Sequence, residues 1–111
     1  MLLYFRTPNE GSPCIGTDMN RNYGYMWNHG GSSNNPCSDT YMGKAANSEP
    51  AVQNVQAFVS KIKDQIKFYQ SLHSYSQLVL LPWGYTYDDC PNHDNMMDLG
   101  NRVTIYIKHS K

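Results

Sequence analysis

The sequence predicts an α/β fold, and three observations carry that expectation. Apolar residues recur at intervals of three and four over 51–66, apolar and polar residues alternate over 66–72, and Leu78-Val79-Leu80-Leu81 is a short unbroken apolar run closed by Pro82. The first pattern is the stripe of an amphipathic helix. The second is a half-buried strand and the third a strand buried on both faces, as in a sheet covered by helices.

Composition bounds what such a chain can be. Its 111 residues allow one small domain or a piece of a larger one. Nine Lys+Arg balance nine Asp+Glu, which removes the long-range attraction expected for a nucleic acid or an anionic membrane surface, so neither partner is expected. No apolar run approaches the roughly 20 residues of a membrane-spanning helix. The start, Met1-Leu2-Leu3-Tyr4-Phe5, lacks the basic flank and long apolar segment of a signal peptide. Leu, Ile, Val and Phe make up 20 of the 111 residues, below the roughly 20% at which core-formers become scarce. Disorder also wants high net charge, which is missing. The expectation is a thin-cored globular sequence with the arithmetic of a fragment.

The elements follow in order. Over 7–47 the chain is crowded with Asn, Gly, Ser and Pro, as in Pro8-Asn9-Glu10-Gly11-Ser12-Pro13 and Asn28-His29-Gly30-Gly31-Ser32-Ser33-Asn34-Asn35-Pro36. These residues set turns, so the segment reads as a loop surface with little regular structure, held by a scaffold elsewhere. Asn47 or Ser48 can cap the helix that follows, Glu49 places a negative charge at its positive end, and Pro50 is tolerated in the first turn. Its apolar stripe is Ala51, Val52, Val55, Phe58, Val59, Ile62 and Ile66, opposite Gln53, Asn54, Lys61, Lys63 and Asp64. A strand then runs to His73, and the buried strand 78–81 comes next. In the tail, 92–101 opens as a helix through Met96, Met97 and Leu99, yet 103–107 is β-branched and alternating, a strand signature.

Several residues can carry chemistry. His29, His73, His93 and His109 are isolated, and none begins a His-x-x-Glu or His-x-x-His pair. Catalytic zinc wants three protein ligands and an open position, which this spacing does not supply. A lone His is more often a polar ring at a core edge. His73 stands out because it follows a predicted strand, and α/β sheets place their sites at strand C-termini. In Thr17-Asp18-Met19-Asn20-Arg21-Asn22-Tyr23, an Arg flanked by two Asn can grip a carboxylate, the guanidinium fork pairing both oxygens. The commoner reading of such a segment is a solvated Arg among turn-forming Asn. Arg6 is a further anion-binding candidate, and Asp88-Asp89 reads as an exposed acidic turn. Cys14, Cys37 and Cys90 allow at most one internal bridge and leave one thiol over. Cys14 and Cys37 stand at the two ends of the loop region, where a bridge would contribute about 3 kcal/mol and place the protein in an oxidising compartment.

Five segments in order resemble one family. Gly16-Thr17-Asp18-Met19-Asn20-Arg21-Asn22-Tyr23, Ser33-Asn34-Asn35-Pro36-Cys37-Ser38-Asp39-Thr40-Tyr41, Asn47-Ser48-Glu49-Pro50, Leu72-His73-Ser74-Tyr75-Ser76-Gln77 and Pro82-Trp83-Gly84-Tyr85 are similar to the zinc metallocarboxypeptidases of the carboxypeptidase A/B kind. The resemblance runs from about residue 6 to about residue 100. It implies part of a mixed-sheet α/β/α fold, with 1–111 as a single partial catalytic domain, atypical at both ends. The implied activity is metal-assisted removal of C-terminal amino acids from peptides, with zinc as cofactor and a secreted location. By the same resemblance Asn20 and Arg21 hold the substrate's free carboxylate. His73 is then one zinc ligand, Tyr75 lines the next subsite, Arg6 is a secondary substrate contact, and Cys14 pairs with Cys37. The family often has a cis peptide where Ser74-Tyr75 stands.

The departures also have consequences. The His-x-x-Glu pair of ligands is missing, the general-base Glu and clamping Tyr would lie beyond Lys111, the oxyanion Arg position falls at Leu3, and 103–107 breaks the expected helical continuation. The chain alone is therefore expected to be inactive. The alternative is a non-catalytic product that binds peptide C-termini or a partner through the retained clamp.

Overall fold

The structure is a computed structural model that describes residues 4–73 and 75–109, with the side chains of 4–6, 108 and 109 outside the description. Two compact units, Met1–Ser74 and Tyr75–Lys111, make up the chain.

The first unit begins with an antiparallel pair, strand β1 (Tyr4–Pro8) against β2 (Ile15–Asp18). Tyr4 lies opposite Asp18 and Phe5 opposite Thr17, and an irregularity precedes the pairing of Pro8 with Ile15. Proline has no N–H to give a ladder, which fits its place at the strand end. Asn9 closes the connection twice: its carbonyl accepts from Ser12 N at 3.0 Å and its Nδ2 donates to Gly16 O at 3.0 Å. β2 runs straight into a 3₁₀ turn, Met19–Arg21, capped by Asp18, whose Oδ1 accepts from Asn20 N at 2.9 Å. The 7–47 region is thus more regular than its composition predicts. Turn-forming residues mark where a chain bends, and they leave room for the short strands between bends.

The chain then loops out and returns over 41–49. Asp18 N donates to Tyr41 O at 2.9 Å, and Ser33 forms an isolated parallel bridge with Tyr41. Among the described residues of this unit the buried side chains are Tyr41, Met42 and Val52 on the apolar side and Thr17, Asp18, Asn22 and Glu49 on the polar side. Among the described residues, no buried side-chain nitrogen or oxygen lacks a partner, the condition on which a polar core is tolerable.

Helix α1 (Pro50–Ile62) has Pro50 at its first position. Its N-cap is Glu49 rather than Asn47 or Ser48, and no side chain caps the backbone. The expected caps are engaged elsewhere. Asn47 accepts from Gln56 Nε2 at 2.9 Å through its side chain and from Gln53 Nε2 at 2.8 Å through its carbonyl. Ser48 Oγ donates to Glu49 Oε1 at 3.1 Å. Of the helix stripe, Val52 is fully buried while Val55 and Phe58 are exposed. A 3₁₀ turn, Lys63–Gln65, ends the helix.

The strands expected over 66–72 and 78–81 are not formed. Both segments are irregular, and Leu78 and Leu80 are 69% and 81% exposed. A strand exists by its ladder to a neighbour, and among the described residues β1 and β2 pair only with each other. The tail is a further correction. Helix α2 (His93–His109) runs continuously through 103–107. β-Branched residues cost a helix only a fraction of a kcal/mol each, too little to overturn its own hydrogen bonds where no partner strand is at hand. Thr104 Oγ1 donates back to Gly100 O at 2.9 Å, and Asp98 pairs with Arg102 at 3.6 Å one turn apart. In this second unit Cys90 is a buried free thiol.

Cys14 and Cys37 form a disulfide with Cα atoms 5.2 Å apart, closing 23 residues. Replacing either by Ser, or reducing the bond, is expected to lower unfolding free energy by about 3 kcal/mol. Thermal melts followed by circular dichroism, with and without reductant, check this; coincident curves would contradict it.

Candidate functional site

Asn20 and Arg21 sit side by side on the Met19–Arg21 turn, between two buried anchors, Asp18 and Asn22. The Asn20 side chain is exposed, whereas its backbone N–H is taken by Asp18. The Arg21 guanidinium is aimed by its own loop: Nε donates to Gly31 O at 2.8 Å and Nη1 to Asn20 O at 3.4 Å. Guanidinium carries five donors in a rigid fork, so holding the Nε edge leaves terminal N–H groups for a planar anion. The asparagine pair that brackets Arg21 in sequence is divided in function. Asn20 faces outward, while Asn22 is 0% exposed and turned into the core.

A depression of about 600 Å³ lies between this turn and α1, with Asn20, Tyr23, Val55, Tyr69, Ser71 and His73 among its walls. Asn20 and His73 are thus brought together, and Arg21 stands one residue outside the described lining. The exposed His73 has Nε2 3.0 Å from Ser71 Oγ. In the sequence Tyr23 is marked only as the end of the Asn-rich segment. Burial raises its pKa above the usual phenol value, and neighbouring Tyr69 adds to the rise. Its position two residues after Arg21 was the available signal.

The remaining candidates are more scattered. Tyr75 belongs to the second unit and is 95% exposed. Arg6 lies in β1 with its side chain outside the described residues, and Leu3 and the Ser74–Tyr75 peptide are outside them too. The cis peptide that is described joins Pro82 to Trp83. Asp88 accepts from Thr86 Oγ1 at 2.9 Å, an acidic turn as expected, and His93 lies 3.5 Å from Asp89 and 3.4 Å from Asp94.

For zinc the test is the donor set. Among the described residues no group of three His, Cys, Asp or Glu side chains is arranged to hold a metal ion. His73 supplies one donor where a catalytic centre needs three. These residues do not fit a complete zinc centre by themselves.

The family model described as zinc carboxypeptidase matches residues 4–111. This chain belongs to the zinc carboxypeptidase family. It is similar to a zinc carboxypeptidase of Simulium vittatum, 45% identical over 96 residues, covering 86% of this chain and 32% of the relative. It is 44% identical over 91 residues to human mast cell carboxypeptidase A, covering 82% of this chain and 22% of that protein. Among solved structures, bovine thrombin-activatable fibrinolysis inhibitor in complex with a tick carboxypeptidase inhibitor superposes with a TM-score of 0.83 at 34% identity. That match covers 88% of this chain and 33% of the other. The zinc carboxypeptidase chain described here therefore shares the α/β fold of these proteins, and spans about a third or less of their length. No described helix is long and apolar enough to cross a membrane.

The raised Tyr23 pKa has a direction that can be measured. The folded state favours the protonated phenol, so the associated stability is whole below about pH 10, the ordinary phenol value, and is lost as pH rises through the higher folded value. Tyr23→Phe is expected to remove from an alkaline absorbance titration a tyrosine that ionises above the ordinary phenol value, and to soften the alkaline loss of stability. A titration unchanged by the substitution would contradict this.

Proposed function

We propose that this chain is part of the catalytic domain of a carboxypeptidase that hydrolyses the last residue from peptides, and that its own contribution is recognition of the substrate's terminal carboxylate. Arg21 pairs the two carboxylate oxygens and Asn20 adds an amide donor. His73 contributes one of three zinc ligands, the others belonging to polypeptide that corresponds to the remaining two thirds of the relatives. Tyr75 and Arg6 are secondary substrate contacts, and 1–111 belongs to one catalytic domain.

The observation that carries this reading is the meeting of Asn20 and His73 in one depression, beside an Arg21 guanidinium held by Gly31 O. An exopeptidase must measure from a terminal carboxylate to the bond it cuts, so a fixed cation at set distance from the reacting centre is the part of the chemistry a scaffold must supply. Bound zinc supplies Lewis acidity toward the scissile carbonyl. The residues here bind and orient. Zero formal charge suits a partner recognised locally, a peptide with a free C-terminus rather than a nucleic acid or membrane. The Cys14–Cys37 bond favours an extracellular location.

Calorimetry with a short peptide ending in a free carboxylate and with its C-terminal amide tests the clamp. The acid is expected to bind about tenfold or more tighter, because charge-assisted pairs contribute 1.5–3 kcal/mol, roughly, and Arg21→Ala is expected to erase the difference. Equal affinities for acid and amide contradict the reading. With zinc added, this chain alone is expected to release no C-terminal residue, since one His falls short of three ligands. Steady zinc-dependent release, followed by amino-acid analysis, would overturn that expectation.

A further inference from the structure

We infer that Asn22 is the positioning residue of the carboxylate clamp, an inference that rests on the clamp reading of Asn20 and Arg21. Asn22 is 0% exposed and cannot touch a peptide. Its amide is nevertheless fully used. The two hydrogens of Nδ2 are shared among three acceptors, Met42 O at 2.8 Å, Ala45 O at 3.0 Å and Ser48 Oγ at 2.9 Å, and Oδ1 accepts from Glu49 N at 3.0 Å. The backbone does the same work, Asn22 N closing the clamp turn on Met19 O at 3.2 Å and Asn22 O accepting from Asn47 N at 2.7 Å.

These bonds tie the C-terminal end of the turn to the returning segment 41–49. The N-terminal end is tied to that segment as well, because Asp18 N donates to Tyr41 O at 2.9 Å while Asp18 Oδ1 caps Asn20 N. Asn20 and Arg21 are thus held between two anchors fixed to one strip of backbone. Recognising a carboxylate by two groups at once needs placement to within about 0.5 Å, which an unanchored turn cannot keep.

The chemistry singles out asparagine. Met42 O and Ala45 O can only accept, so an Asp at 22 would set a carboxylate oxygen against two carbonyls, while Glu49 N needs an acceptor that a hydrocarbon lacks. The site also dictates Gly43. A Cβ there would collide with Asn22 Nδ2 and come within 2.7 Å of Ser48 Oγ, at a φ of +84°.

The test compares free-acid and amide affinities of one peptide for the full chain and for Asn22→Asp, Asn22→Ala and Ser48→Ala, with a thermal melt of each. Ser48→Ala removes one acceptor and leaves the two carbonyls, so it keeps a cooperative melt even where the Asn22 variants do not fold. The expected result is that Ser48→Ala lowers the acid-over-amide ratio about threefold or more, and that any folded Asn22 variant lowers it about tenfold. A purely structural role would lower the melting temperature and leave the ratio at the parent's value, and that outcome overturns the inference. A parent ratio of one defeats the clamp reading itself, and this inference with it. A high parent ratio preserved in Ser48→Ala and in every folded Asn22 variant defeats positioning alone.

Discussion

The first unit depends on one buried amide. Asn22 joins the end of the Met19–Arg21 turn, the 42–49 return and the start of α1 through its side-chain amide, whose two N–H groups are shared among three acceptors and whose oxygen accepts from Glu49 N. Each such bond contributes about 1 kcal/mol net, but leaving its partners unpaired in the core costs 1–3 kcal/mol each, roughly. The network therefore behaves as a unit. Among the described side chains of this unit, Tyr41, Met42 and Val52 are the buried apolar ones, so apolar burial contributes little to organising the described part. Polar satisfaction and a covalent bridge take that role.

The segment Asp18-Met19-Asn20-Arg21-Asn22 divides labour by position. Asp18 and Asn22 point into the protein, and Asn20 and Arg21 are left at the surface side of the turn. Asp18 and Asn22 flank the three-residue turn as its N- and C-cap, so their side chains reach inward while the residues of the turn between them are carried outward. The proposed recognition groups are short and local, while their placement comes from bonds reaching 10 to 27 residues along the chain, such as Arg21 to the Gly31 carbonyl, Asn22 to the Met42 carbonyl and Glu49 N to Asn22 Oδ1.

Much of this was legible in the sequence for physical reasons. Helix α1 showed because its apolar stripe and Pro50 are local signals. The family was legible because five segments in order are far more specific than any one of them. The α/β class was also legible, and the structural likeness to carboxypeptidases supports it. The strands over 66–72 and 78–81 were misread because an apolar pattern records an environment, and ladder partners for these segments are not among the described residues. The helical tail was hidden by β-branched residues at 103–107, whose preference is weaker than a helix already begun at His93. The role of Asn22 was illegible, since an asparagine beside a turn looks the same whether it faces water or a ring of carbonyls. The cap at Glu49 was missed because tertiary bonds to Gln56 and Asn22 had claimed the side chains of Asn47 and Ser48.

The Cys14–Cys37 bond has a topological side. It makes residues 14–37 a closed covalent ring, and Asn20, Arg21, Asn22 and the Gly31 carbonyl all lie on it. A single backbone cut anywhere inside the ring leaves one covalently joined molecule instead of two pieces. The loop-rich segment that carries Asn20 and Arg21 thereby remains attached after a cut at any of its exposed turns.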